Sequence, residues 1–378
     1  SNAFWNDSSN TLVSSGSTIW YAQNIGNGFP GFSASENFNY VGSNSQETIN
    51  FYINRDIYSG KFTFNMYGGN DDISNAKFKN IDSLSLGSGD DNVFLKLGST
   101  EDGYYGSPDL SNFSMSLLDG GPGSDTLNFS STVVTSGATL NLSTGSATNF
   151  ENIVGSSVNE TLQGDANANI LKGNGGLDTI YGYDGSDYLY GYGEAGLESS
   201  GASSQSGNDI LYGGGGNDYL FGTAGDNTLD GGTGTDAIYS GPGADSIILR
   251  TGDGSTDLSS ANILTDFTDG SDVFLMDDFN SSQITIDQGT GSNEDHTLIS
   301  ITSTGEYLMK ILNTLVAKIT GADLSTTSTD PLTLNGSSGN DILIGGSGSD
   351  TFSGAAGSDE IYGHGGDDSI TISGKSGS

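Results

Sequence analysis

From Gly155 onward, a carboxylate or amide that precedes an x-apolar pair returns every nine residues, at Glu160, Asn169, Asp178 and Asp187, and, after an insertion, at Asp209, Asp218, Asn227, Asp236 and Asp245. The surrounding text reads GNGGLDTI, GYDGSDYL, GGGGNDYL, GTAGDNTL, GGTGTDAI and SGPGADSI. A second array, GSSGNDIL, GGSGSDTF, GAAGSDEI and GHGGDDSI, sets Asp341, Asp350, Asp359 and Asp368 at the same spacing, and degenerate single copies end at Val93 and Leu127. Self-similarity at a fixed period marks a repeat architecture and constrains the fold more than any local propensity does.

The residue types explain the unit. Glycines allow the positive φ angles of a tight six-residue turn. The short apolar segment that follows, such as Thr179-Ile180 or Tyr219-Leu220, forms a strand whose one inward side chain fills a narrow core. Two nonapeptides make one coil, so residues eighteen apart stack on one edge, pairing Asp218 with Asp236, Asp341 with Asp359 and Asp350 with Asp368. Stacked carboxylates repel unless a hard cation lies between them, and Ca²⁺ takes about six to eight oxygen ligands, a set that carboxylates and turn carbonyls can supply.

Composition supports a cation partner. Asp and Glu number 47 against 10 Lys plus Arg, for a formal net charge of -37. A surface this acidic repels phosphate backbones and anionic lipid headgroups, which argues against nucleic-acid binding and electrostatic membrane docking. The absence of Cys excludes disulfides and thiolate metal sites. No apolar run approaches the roughly 20 residues of a membrane helix.

The repeats resemble the glycine- and aspartate-rich nonapeptides GGxGxDxUx of the RTX (hemolysin-type) family. The resemblance implies a parallel β-roll with Ca²⁺ between successive turns, in a secreted, extracellular or cell-surface protein exported by a type I system. The stretch 125–171 resembles the lead-in of such arrays, and 263–279 with HTLISITSTGEYL resembles the segment that caps one. The candidate calcium ligands are Asp91, Asp125, Asp178, Asp187, Asp209, Asp218, Asp236, Asp245, Asp341, Asp350, Asp359 and Asp368. Turn carbonyls such as those of Gly175, Gly213, Gly215, Gly232, Gly234, Gly346 and Gly348 complete the set. Asn169 and Asn227 replace Asp, Glu160 is longer by a methylene, and Ser240 replaces the first Gly of its repeat, so those sites are expected to bind weakly or not at all.

The expected fold is all-β: parallel β-roll or β-helix arrays, an irregular β-rich N-terminal region and a small β cap or spacer. Residues 1–3 read as an expression-tag remnant, 4–150 as β-rich with degenerate repeats, 151–250 as the first roll, 251–330 as the cap and 331–378 as the second roll. Segments such as ETINFYI and KFTFNMY in 4–150 suit strands of an irregular β-helix or of a β-sandwich. The insertion 192–206 reads as a surface loop. Within the cap, Thr297–Ile301 and Tyr307–Ile311 read as a hairpin turned near Thr304-Gly305. The chain is expected to be a piece of a longer protein, with a secretion signal beyond Ser378.

For function, the primary expectation is a non-enzymatic module that folds on extracellular Ca²⁺. The alternative is an adhesin or surface-layer module that binds a glycan, cell-surface component or neighbouring protein through 4–150, where Trp20, Tyr21, Phe29, Phe32, Phe38 and Tyr40 cluster. A β-helix enzyme acting on polysaccharide ranks third. His296 and His364 have no spacing that suggests a zinc site or triad, and Arg55 and Arg250 are the only arginines for an acidic sugar. Tyr181, Tyr190, Tyr212 and Tyr239 read as one outward ladder that packs between coils.

Overall fold

A computed structural model of the chain describes residues 3–6, 11–14, 18–23, 38–41, 44, 46–52, 62–76, 81–95, 117–130, 136–144, 147–192, 207–326, 329, 331–336, 342–355 and 357–371. The chain divides into two compact units, Ser1–Thr179 and Ile180–Ser378. Among the described residues, helix is confined to three-residue 3-10 turns, and no helix is long and apolar enough to cross a membrane.

In the first unit nearly every strand pair is parallel. Phe38–Val41, Phe62–Asn65, Ile81–Ser85, Leu117–Asp119 and Ala147–Thr148 form one sheet. Thr18–Gln23, Glu47–Tyr52, Asp72–Ala76, Asn92–Leu95, Thr126–Asn128, Asn152–Val154 and Ile170–Lys172 form another. Ala3–Asn6 and Thr11–Ser14 pair antiparallel at the start. Of the two sequence-level options, the irregular region is therefore a parallel β-helix. One edge advances by 20, 34 and 26 residues per coil before reaching 18 at Asn152 and Ile170. Fully buried Ile73, Val93, Leu127, Ile153 and Leu171 stack in consecutive coils, so one apolar residue per strand is enough to fill the interior.

In the second unit, Tyr188–Tyr190, Tyr219–Phe221, Ala237–Tyr239, Ile263–Leu264 and Tyr307–Ile311 form one parallel run. Ile210–Gly216, Thr228–Gly234, Ser246–Leu249, Val273–Met276 and Leu324–Thr326 form the facing run. Leu189, Leu220, Ile238 and Leu264 from one run and Leu211, Leu229, Ile247 and Phe274 from the other are wholly inaccessible or nearly so. Asp187 and Asp218 lie 31 residues apart where the regular step is 18, which places thirteen extra residues in that coil. Most of that insertion lies outside the described residues.

The strands Thr297–Ile301 and Tyr307–Ile311 form an antiparallel hairpin, joined by Ile284–Gln288, and Lys310 and Ile311 pair in parallel with Ile263 and Leu264. The hairpin thus occupies the edge that the last coil would leave open. Further along, Thr333–Asn335, Thr351–Ser353 and Ser369–Thr371 stack in parallel, as do Ile342–Ile344 and Glu360–Tyr362, over a core of Leu334, Leu343 and Phe352.

The tyrosines do not form the single ladder expected from sequence. Tyr181 stacks on Tyr212 with ring centroids 5.0 Å apart, whereas Tyr190 stacks on Phe221 at 4.6 Å and Phe221 on Tyr239 at 4.7 Å. A third pair, Tyr188 and Tyr219, stacks at 4.7 Å. Alternate nonapeptides lie on opposite sheets, so stacking from coil to coil joins residues one full coil apart, and phase within the repeat decides which side of the strand they occupy.

Candidate metal centre

At Asp187, Asp209, Asp218, Asp236 and Asp245 the sixth residue of the nonapeptide immediately precedes the strand, and its backbone N–H points along the stack. The N–H of Asp187 donates to Asp218 Oδ1 at 2.8 Å, that of Asp218 to Asp236 Oδ1 at 2.9 Å, and that of Asp236 to Asn262 Oδ1 at 2.9 Å. On the opposite edge, Asp209 donates to Asn227 Oδ1, Asn227 to Asp245 Oδ1 and Asp245 to Asp272 Oδ1, at 2.9, 2.8 and 3.1 Å. In the first unit Asp71 donates to Asp91, Asp91 to Asp125 and Asp125 to Glu151 Oε2, while Glu160 donates to Asp178. Each accepting side chain spends one oxygen on the neighbouring coil.

The second oxygen is the informative one. Oδ2 of Asp91, Asp125, Asp218, Asp236 and Asp245 is buried with no hydrogen-bond partner. At Asp125, Asp218 and Asp236 it faces the first glycine of its own turn: a Cβ built on Gly213 would lie 2.5 Å from Asp218 Oδ2 and would also clash with the carbonyl oxygen of Gly231 in the next coil. The same convergence holds at Gly182 for Asp187 Oδ2 with Gly213 O, at Gly191 for Asp209 Oδ2 with Gly222 O, and at Gly345 for Asp350 Oδ2 with Gly363 O. A glycine is needed here because oxygens from two coils occupy the space of a side chain.

A buried carboxylate oxygen left without a donor is costly. Burial accordingly pushes Asp218 up to about 6, and Asp236 up to about 7 with the Asp218 charge adding to the effect. Burial likewise pushes Asp91 to about 6 and Asp125 and Asp245 to about 7, with the Asp91 charge adding at Asp125 and the Asp272 charge at Asp245. The side chains of the ladder are carboxylates and amides and the chain has no Cys, so soft metals find no thiolate or thioether ligand there. Carboxylate oxygens supplemented by convergent backbone carbonyls suit a hard divalent cation, and the residues present fit Ca²⁺.

The second array repeats the ladder with a difference. Asp350 donates its N–H to Asp368 Oδ1 at 2.9 Å and accepts from Leu332 at Oδ1 and from Gly346 at Oδ2. Asp359 Oδ2 and Asp368 Oδ2 face Gly354 and Gly363. Asp341 lies outside the described residues.

The turn carbonyls divide by position. That of Gly215 accepts the Gly185 N–H at 2.7 Å and that of Gly346 the Gly365 N–H at 3.1 Å, both as coil-to-coil bonds. Gly213 O faces Gly182 beside Asp187 Oδ2, and Gly348 O faces Gly366. Gly232 and Gly234 lie over the carbonyls of Gly214 and Gly216, and Gly175 donates its N–H to Ser156 O.

Sequence reasoning missed a second ladder at the fifth position. Asn217 Oδ1 accepts the Thr235 N–H, Asn208 Oδ1 that of Asp226, and Asp226 Oδ1 that of Ala244, at 3.0, 2.9 and 2.9 Å. The recurrent Asn, Asp or Ser just before the repeat Asp was the available signal. It also missed Glu151, Asn262 and Asp272, which end carboxylate ladders from outside the nonapeptide text. Neither histidine joins these sites: His296 Nδ1 accepts the Asn313 N–H at 3.1 Å, and His364 sits exposed in a turn with φ 58°.

The family model described as RTX calcium-binding nonapeptide repeat (4 copies) matches residues 154–195, 204–229, 212–247, 221–255 and 333–370. No curated protein matches the chain. Its nine-residue phasing, its parallel coils and this match agree: the chain carries RTX nonapeptide repeats, a calcium-binding β-roll module.

Proposed function

We propose that the chain is a non-enzymatic module of a larger secreted protein, in which the repeats fold and rigidify on meeting extracellular Ca²⁺. The observation that carries this reading is the row of buried Oδ2 atoms with no hydrogen-bond partner, at Asp91, Asp125, Asp218, Asp236 and Asp245. Bound Ca²⁺ supplies the positive charge that makes such burial favourable. Asp218 and Asp236, with their Oδ1 atoms tied to adjacent coils, hold the remaining oxygens at the turn, and the position-one carbonyls add neutral ligands. A metal held only by the folded state contributes its binding free energy to folding. At low cytosolic calcium, a chain of net charge -37 with these carboxylates unneutralised stays expanded and suits export by a type I system. Outside the cell, calcium drives folding in one direction.

The glycan-binding alternative has less support. Of its aromatic cluster, Tyr40 is buried, as a core residue would be. Phe38 is described only as part of the strand Phe38–Val41, and Trp20 and Tyr21 only as part of Thr18–Gln23. Phe29 and Phe32 lie outside the described residues.

The test is a calcium titration of the metal-stripped chain, followed by far-ultraviolet circular dichroism and hydrodynamic radius, with Mg²⁺ as control. Cooperative, calcium-selective compaction into β structure is the expected result. A chain already compact in chelator and unresponsive to calcium would overturn the proposal.

A further inference from the structure

At Asn227 the ladder carries an amide where its neighbours Asp209 and Asp245 carry a carboxylate. Asn227 is the sixth residue of its nonapeptide and is buried. Its backbone bonds match those of the Asp repeats, since Oδ1 accepts the Asp209 N–H at 2.9 Å and its own N–H donates to Asp245 Oδ1 at 2.8 Å. Because Oδ1 is fixed by that donor, the other terminal atom must be the amide nitrogen. Nδ2 donates to Gly225 O at 3.1 Å and to Thr223 O at 3.4 Å, both within its own turn. A Cβ on Gly222 would lie 2.9 Å from Asn227 Nδ2 and 2.5 Å from Ser240 O. In the same place, Asp218 and Asp236 present an oxygen with no hydrogen-bond partner.

The comparison is between two chemical solutions to one geometry. Turn carbonyls of one coil and a carbonyl of the next converge on the side chain at position six. A carboxylate there adds negative charge to a nest of acceptors and needs a cation. A carboxamide presents two N–H donors to the same acceptors and needs none. It also aims the positive end of its dipole at the point a cation would approach.

We propose that Asn227 is a built-in substitute for calcium at its own turn, so that the step from Asp209 to Asn227 is clamped without metal while Asp218, Asp236 and Asp245 keep their need for a cation. This rests on the calcium reading above and adds that successive turns of the roll differ in their need for metal. The difference follows from the side chain at position six, because the backbone bonds at Asn227 match those at the Asp positions.

The experiment uses the full chain and counts bound calcium by equilibrium dialysis in wild type, Asn227→Asp and the mirror variant Asp236→Asn. Asn227→Asp is expected to gain one ion per chain and to need more calcium to fold. Asp236→Asn is expected to lose one ion and to need less. Amide hydrogen exchange at sub-saturating calcium gives an independent readout: the Asp209 N–H should exchange about tenfold more slowly than the Asp218 N–H. An unchanged count in both variants, with wild type loading calcium normally, overturns the inference. Wild type that takes up no calcium overturns the calcium reading instead. Equal exchange at Asp209 and Asp218 then overturns the amide clamp separately. If Asn227→Asp fails to fold even in excess calcium, Asp236→Asn and the exchange comparison still decide the matter.

Discussion

The Asp218 backbone N–H donates to Asp236 Oδ1 at 2.9 Å, and Asp236 Oδ2 is left buried with no hydrogen-bond partner. One carboxylate thus serves two purposes, a neutral stitch between coils and a charged group held for a cation. The division accounts for an Asp, rather than a Ser or Asn, at most sixth positions, since only a carboxylate can provide both.

Replacing Asp218 with Ala should remove the stitch from Asp187 and a cation ligand together. The calcium midpoint of folding is expected to rise about tenfold, because loss at one coil weakens both of its interfaces in a linear stack. Asp295→Ala, at an exposed position in the cap, should leave the midpoint unchanged. Titrations of both variants by circular dichroism check this, and equal midpoints would contradict it.

The raised carboxyl values fix the sign of the pH response. Asp218 at about 6 and Asp236 and Asp245 at about 7 lie above the unfolded Asp value of about 3.9. Between those limits the metal-free folded form binds more protons than the unfolded chain does, so its stability is greatest in acid and is lost as pH rises through the folded values. Protons and calcium therefore compete for the same oxygens. Metal-free chain should be more compact at pH about 5 than at pH about 8, and calcium uptake near pH 7 should release protons, measurable with an indicator dye.

Core truncation separates packing from metal. Leu220 is fully buried and stacks between Leu189 and Ile238 in the coils on either side. Leu220→Ala should cost about 2–5 kcal/mol at saturating calcium, because a core one residue wide cannot collapse around the cavity. Denaturant melts in excess calcium would show it as a lower midpoint, with the number of bound ions unchanged.

The sequence made the regular coils legible because each nonapeptide repeats one local instruction, a glycine turn followed by one inward apolar residue. Leu211, Leu229 and Ile247 follow from that rule without further information. The coils before Asn152 obeyed the same physics but varied in length, by 20, 34 and 26 residues, and no fixed-period reading can align them. The ladder ends at Glu151, Asn262 and Asp272 were hidden for a related reason: they complete a geometric series from text that lacks the glycine frame. Which atom of Asn227 faces the turn depends on the donor fixed at its other terminal atom, and that donor comes from the coil eighteen residues earlier.

Glycines at the turns let the coils approach closely. Gly216 has φ +131°, and a Cβ there would collide with the carbonyl of Gly185 in the preceding coil. Gly252 has a comparable φ of +94°, but a Cβ there would meet nothing within 4 Å. Both Ala substitutions incur the conformational cost of a positive φ, on the order of 1–2 kcal/mol. Only Gly216→Ala must also push two backbones apart, which opens the gap where Asp187 N–H reaches Asp218 Oδ1. Gly216→Ala is therefore expected to lower calcium affinity as well as stability, whereas Gly252→Ala should lower stability alone. Isothermal titration of the two variants in parallel measures the difference, and matched calcium affinities would show that coil spacing does not set the metal geometry.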